Sequence, residues 1–229
     1  MSVLFCSVAS LRRRRSVCCG TVKAVLCTGG EGPSAALFAA RCGAGDLTIA
    51  ADSGLDLAVR LGLMPDLIVG DFDSVSDPGL PSRYPSAEVI SFPRDKDETD
   101  TEIAIRIARE RGATEVVLVG GGGGRLDHLL GIVEQFERDS RPDLWISAGC
   151  VVRAVDSEIR ETGAIGDIIS FIPLGCEPCT MRSTGLRWPL DRIEWRRGDI
   201  GVSNEFAESE VCVTMRTGLL LMIRPSGEM

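Results

Sequence analysis

Acidic side chains recur in four short segments of this 229-residue chain. They are Asp52-Ser53-Gly54, Gly70-Asp71-Phe72-Asp73-Ser74, Asp95-Lys96-Asp97-Glu98-Thr99-Asp100 and Arg125-Leu126-Asp127-His128. Each follows a short apolar run of β type. Carboxylates crowded at one place repel, by about 4 kcal/mol for two charges roughly 4 Å apart at an effective dielectric near 20. A fold that keeps such a cluster needs a cation. Hard oxygen donors without neighbouring Cys or His select Mg²⁺ or Mn²⁺. Mg²⁺ normally takes one or two carboxylates, water and substrate phosphates, which points to a phosphorylated substrate. Each segment alone has a plainer role. Asp and Ser form turns, Thr99 with Glu102 makes a capping box, and Asp100 suits the first turn of a helix. The case for chemistry rests on the four together.

Five consecutive glycines at 120–124 run into Arg125 and Asp127-His128. Backbone N–H groups without Cβ atoms can approach a phosphate closely, and the N-terminus of a following helix adds partial positive charge. Arg125 adds a permanent, bidentate cation. No Gly-Lys-Ser/Thr follows, so this is not a P-loop, and Arg at 125 breaks the dinucleotide-binding glycine pattern. A phosphate cradle is the reading this composition favours over a merely flexible loop.

Such loops must be carried to one place. From residue 22 to about 149, short apolar runs at 23–28, 47–51, 67–70, 88–92, 115–119 and 143–147 read as buried parallel strands. Helical periodicity falls at 34–42, 53–61, 101–111 and 129–138. The alternation predicts an open, mostly parallel α/β sheet flanked by helices, Rossmann-like, with right-handed crossovers. Ligands of such sheets bind at the carboxyl ends of the strands, where all four segments fall. After residue 150 the pattern becomes β-type runs at 151–155, 168–172, 181–183, 192–195, 211–215 and 219–223, separated by Gly and polar turns. That predicts a smaller all-β sandwich. The expected organisation is an extension at 1–20, an α/β domain at 21–149 and a β-sandwich at 150–229. The extension is expected to be disordered. Its Arg12 to Arg15 follow an apolar block, the reverse of a secretory signal.

Composition narrows the classes. The formal charge is −8, which disfavours nucleic-acid binding. No apolar run reaches the roughly 18–20 residues of a membrane span. One histidine, His128, excludes a His-rich zinc site. Nine cysteines without regular spacing make a poor disulfide framework and suit a reducing cytoplasm. Cys176 and Cys179 form the single CxxC and read as thiols at strand ends.

The four acidic segments, in this order, resemble the motifs of the thiamine pyrophosphokinase (thiamine diphosphokinase) family. The stretch from Ser183-Thr184-Gly185-Leu186-Arg187-Trp188-Pro189-Leu190 to Gly201-Val202-Ser203-Asn204-Glu205-Phe206 is similar to that family's thiamine-binding region. The resemblance spans about residues 22–225. It implies a homodimeric enzyme that moves the pyrophosphoryl group of ATP to thiamine, giving thiamine diphosphate and AMP. It further implies that Asp71, Asp73 and Asp100 hold Mg²⁺, and that Asp52, Asp97 and Asp127 orient substrate groups or complete the shell. Ser53, Gly54, Thr99, Gly122, Gly123, Gly124, Arg125 and His128 fall on the ATP side. Trp188, by stacking and cation–π attraction, and Ser203 and Asn204, by hydrogen bonding, fall on the thiamine side. In the family the β-domain of one subunit faces the acidic loops of the other, so a C2 dimer would carry two composite sites. The acids would serve two other proteins: a Mg²⁺-dependent phosphohydrolase acting on a nucleotide or phosphoester, and a non-catalytic thiamine or nucleotide sensor.

Overall fold

A computed structural model describes residues 21–71, 75–77 and 79–227. The expected extension at 1–20 lies outside the described residues. In chain order the elements are β1 (Lys23–Cys27), α1 (Ala35–Arg41), β2 (Leu47–Ala51), α2 (Gly54–Arg60), β3 (Leu67–Gly70), β4 (Glu88–Ser91), α3 (Asp100–Glu110), β5 (Glu115–Val119), α4 (Leu126–Gln135) and β6 (Leu144–Ile146). Then follow β7 (Cys150–Val155), β8 (Glu158–Thr162), β9 (Ile168–Leu174), β10 (Thr180–Thr184), β11 (Gly201–Glu205), β12 (Glu210–Thr217) and β13 (Leu219–Pro225).

Strands β1 to β6 are parallel and lie in the order β4-β3-β2-β1-β5-β6. Their period-2 side chains serve two cores. Leu26, Ile49, Val69 and Leu118 pack with Ile103 and Ile107 of α3 and Ile132 of α4. Val25, Cys27 and Val119 on the opposite face pack with Leu37 and Phe38 of α1 and Leu57 of α2. Helices on both faces explain why β1, β2, β3 and β5 are apolar throughout. Strand β4 departs from the expectation of a buried strand. It is the sheet's edge, and Glu88, Val89 and Ser91 are exposed. Strand order reverses between β1 and β5, which makes a topological switch point there.

The change from parallel to antiparallel pairing falls at the short turn between β6 and β7, where Cys150 N–H donates to Ser147 Oγ at 3.2 Å. Pairing does not stop there. Strands β7, β13, β9 and β11 continue the same sheet to ten strands. A three-stranded sheet, β10-β12-β8, packs over the added strands around Phe171, Met181, Trp195, Phe206, Val213 and Leu220. The sandwich therefore shares one layer with the α/β sheet.

Three local expectations differ. The run at 192–195 is not a strand: Leu190–Arg192 forms one 3-10 turn, and Trp195 is core, its indole N–H donating to Leu190 O at 2.8 Å. Helix α4 begins at Leu126, ahead of its first inward apolar residue. Strands β8 and β11 had too little apolar content to be read as strands, because each lies at the edge of its sheet.

Candidate functional site

A cleft of about 1050 Å³ opens at the carboxyl ends of the parallel strands, over the switch point. Its lining runs from Thr28 after β1 to Arg138 after α4. Asp52, Ser53, Asp71, Thr99, Asp100, Gly122, Gly123, Gly124, Arg125, Asp127 and His128 all line it. The strand ends thus gather residues separated by more than seventy positions.

The centre is a triangle of carboxylates. Asp52, Asp71 and Asp100 each offer an oxygen, and these lie within 4.8 Å of one another. Asp52 leaves β2 with φ of 49°, its N–H held by Val69 O at 2.8 Å. Gly70 permits this approach, because a Cβ there would stand 3.2 Å from Asp52 Cα on a backbone with φ of 150°. Asp71 follows directly on β3. Asp100 opens α3, whose start is fixed twice over. Thr99 Oγ1 accepts from Glu102 N–H at 3.2 Å, while Glu102 Oε2 accepts from Thr99 N–H at 2.7 Å. The hydroxyls of Thr28 and Thr101, 2.7 Å apart, tie the helix to the end of β1. Burial pushes the Asp100 carboxyl above its ordinary range, and the charges of Asp52 and Asp71 push the same way. The Lys96 ammonium, 3.3 Å from Asp100 Oδ1, opposes them. Three oxygen donors at this spacing could hold a divalent cation of the Mg²⁺ class. Asp73, with Phe72 and Ser74, lies outside the described residues.

The glycine run spends most of its amides on the protein itself. Gly120 N–H donates to Ile146 O, Gly121 N–H to Gly29 O, and Gly122 N–H to Glu31 O. Among the described residues the amides of Gly123 and Gly124 take no part in such bonds. Gly121 and Gly122 thus tie the loop after β5 to the loop after β1, Gly120 ties it to β6, and Gly123 and Gly124 line the cleft.

Arg125 and Asp127 sit at the rim, both exposed, and pair with each other through Nε and Oδ1 at 3.1 Å. The guanidinium holds the Asp127 carboxyl down to about 2. His128 is exposed beside them. Asp97 is exposed and does not line the cleft. Gly54 does not line it either. It is buried at the start of α2, where a Cβ would fall 2.1 Å from Cys27 O, so its place is packing.

Trp188, Ser203 and Asn204 lie in the β-rich half, outside the lining of the cleft. Trp188 is 48% exposed, with the Arg187 guanidinium 4.7 Å from its ring centroid. Asn204 is buried and clasps the Trp188 backbone. Its Oδ1 accepts from Trp188 N–H at 3.1 Å and its Nδ2 donates to Trp188 O at 2.7 Å. Ser203 is exposed with φ of 58°, at an irregularity in the pairing of β11 with β9.

Two family profiles match the chain. The thiamin pyrophosphokinase catalytic domain matches residues 41–146, and the thiamin pyrophosphokinase vitamin B1 binding domain matches residues 156–220. Thiamine pyrophosphokinase 1 of Oryza sativa subsp. japonica is 30% identical over 180 residues, covering 72% of this chain and 68% of the relative. The chain belongs to the thiamine pyrophosphokinase family. Thiamine pyrophosphokinase of Bacillus subtilis is 26% identical over 191 residues, covering 78% and 86%. Its crystal structure shares the fold, with a TM-score of 0.76 at 24% identity over 90% of this chain and 99% of that one. A thiamin pyrophosphokinase structure from Geobacillus thermodenitrificans gives 0.72 at 27% identity, over 89% and 97%.

Within this family member, the cleft contains residues that the sequence reading did not single out: Thr28, Glu31, Arg94 and Arg138. Thr28 and Glu31 follow β1, a strand with no acidic motif behind it to draw attention. Lys96 stood inside a motif, yet its contact with Asp100 was hidden among five acids and hydroxyls. The i,i+4 spacing at a helix start was the available signal.

Proposed function

We propose that the protein transfers the pyrophosphoryl group of ATP to the hydroxyl of thiamine, producing thiamine diphosphate and AMP. The observation that carries this reading is the triangle of Asp52, Asp71 and Asp100 beside Gly123 and Gly124 at the switch point. The hydroxyl oxygen of thiamine bonds to the β-phosphorus of ATP. The bond from that phosphorus to the α,β-bridging oxygen breaks, AMP departs with the oxygen, and the hydroxyl proton is released. Such a transfer asks a protein for positioning and charge neutralisation rather than covalent help.

The all-oxygen set fits Mg²⁺, with Mn²⁺ as a substitute. Asp52, Asp71 and Asp100 would hold it, and Asp73 joins them in this reading. Bound there, the ion neutralises polyphosphate charge. Gly123, Gly124 and Arg125 steady the nucleotide, with His128, Asp127 and Ser53 shaping its surroundings. Trp188 stacks on the cationic thiamine, Asn204 fixes the Trp188 backbone, and Ser203 offers a hydrogen bond. Because these three residues do not line the acidic cleft of their own chain, we infer that a second copy supplies them, in a C2 homodimer with two composite sites. Six free thiols among the described residues accord with a cytoplasmic setting. No helix among the described residues is long and apolar enough to cross a membrane.

Purified protein given ATP, MgCl₂ and thiamine should form AMP and thiamine diphosphate in equal amounts, read by anion-exchange chromatography. Stoichiometric ADP, or phosphate released without thiamine, would overturn the assignment and indicate a phosphohydrolase in the second case.

A further inference from the structure

We propose that Lys96 is the resident counter-ion of Asp100 in the acidic triangle, and that a divalent cation enters by displacing it. The inference rests on the metal reading above. Lys96 Nζ lies 3.3 Å from Asp100 Oδ1 and donates to Pro93 O at 3.2 Å, and its side chain is only 15% exposed. Asp100 Oδ1 is itself shut off from solvent. One ammonium thus meets one of three carboxylates whose oxygens lie within 4.8 Å of one another and whose like charges repel.

The choice of residue supports this role. The chain has 25 basic residues, and Lys23 and Lys96 are its two lysines. Cations elsewhere are overwhelmingly arginine. The ion pairs at Arg109–Asp143, Arg111–Glu88 and Arg224–Asp167 are examples. A guanidinium holds a carboxylate through a planar fork. An ammonium is a point charge on a flexible stem that can leave without losing a bidentate match. A displaceable cation is what a metal-binding triangle requires, and a fork would compete too well.

The test measures Mn²⁺ binding without nucleotide, by titration calorimetry, in full-length wild type, Lys96→Met, Lys96→Arg and Arg138→Met. Arg138 lines the same cleft but pairs with Glu102, so it controls for general loss of positive charge. Lys96→Met is expected to bind Mn²⁺ about fivefold more tightly, the scale of a partly screened ion pair. Lys96→Arg is expected to bind more weakly than wild type, and Arg138→Met to change much less than Lys96→Met. In parallel, acetylation of Lys96 by an N-hydroxysuccinimide ester, followed by peptide mass spectrometry, should speed up when Mn²⁺ is added to wild type. Equal affinity in wild type and both Lys96 variants, or unchanged labelling, overturns displacement while leaving the metal site standing. Absence of Mn²⁺ binding in wild type and Lys96→Met alike removes the metal reading itself, and this inference with it.

Discussion

The indole Nε1 of Trp145 donates to the carbonyl of Gly120 at 2.7 Å, and both groups are buried. This bond reaches from β6 to the point where the glycine loop leaves β5. Trp145→Phe keeps most of the packing and leaves the Gly120 carbonyl short of a donor. It should cost about 1–3 kcal/mol in urea unfolding. The KM for ATP should rise while that for thiamine changes little. Equal changes in both would mean a general loss of order instead of a loop effect.

Asn204 does for Trp188 what Trp145 does for the glycine loop. Asn204→Ala removes two bonds to the backbone of one residue, at 3.1 and 2.7 Å, and also the bond from Glu205 N–H to Oδ1 at 2.8 Å. The KM for thiamine should rise about tenfold, consistent with about 1.4 kcal/mol of lost positioning, with the KM for ATP near its original value. An unchanged thiamine KM would detach Trp188 from thiamine recognition.

Asp100→Asn separates function from stability. Losing one carboxylate of the triangle should lower kcat by about a thousandfold, the upper range for removal of one electrostatic contact. The metal-free protein should nevertheless melt higher, because a charge made unfavourable by burial and by Asp52 and Asp71 is gone. Calorimetry of the metal-free variant checks the second half. A lower melting temperature would show that repulsion does not dominate there.

Glu102 gives a pH dependence of the opposite kind. Burial raises its carboxyl, but the Thr99 amide and hydroxyl, with Gln135 and Arg138, outweigh burial and hold it below its ordinary value of 4.5. A carboxylate held down in the folded state stabilises the protein above its unfolded value and loses that contribution as pH falls through the folded value. Acid unfolding of wild type should therefore steepen below about pH 4.5, and Glu102→Gln should flatten that limb. Gln at this position can still accept from the Thr99 N–H, so the variant removes the charge and leaves the capping box in place. Matching acid limbs in the two proteins would contradict this role.

Much of the site is legible along the chain because strand ends advertise themselves. Apolar runs stop, acids and glycines follow, and the parallel arrangement carries those ends to one edge. Spacing does not say which partner each backbone group chooses. The glycine run shows this, since Gly120, Gly121 and Gly122 satisfy Ile146, Gly29 and Glu31 before any ligand arrives. Gly54 looks the same as a ligand-facing glycine in sequence, and its reason for being glycine is the carbonyl of Cys27. The family resemblance leaves Asp52 either orienting substrate groups or completing the shell, and its distances place it with Asp71 and Asp100. That convergence depends on the positive φ at Asp52 and the close approach of Gly70, both invisible to pattern. In the β-rich half, polar edge strands β8 and β11 lack the alternation that marks their neighbours.

The ten-stranded sheet has a mechanical consequence. Leu144, Trp145 and Ile146 are rungs against Arg153, Val152 and Val151, so the β6–β7 join is a welded seam, not a pivot. To swing Trp188 about the acids of its own chain, those rungs would have to tear, exposing paired backbone groups to water or to nothing. The angle between the two halves is set when the chain folds and stays set through turnover. Whatever opening and closing accompanies substrate entry falls to the loops and rotamers above the strand ends, with the sheet serving as a rigid keel beneath them.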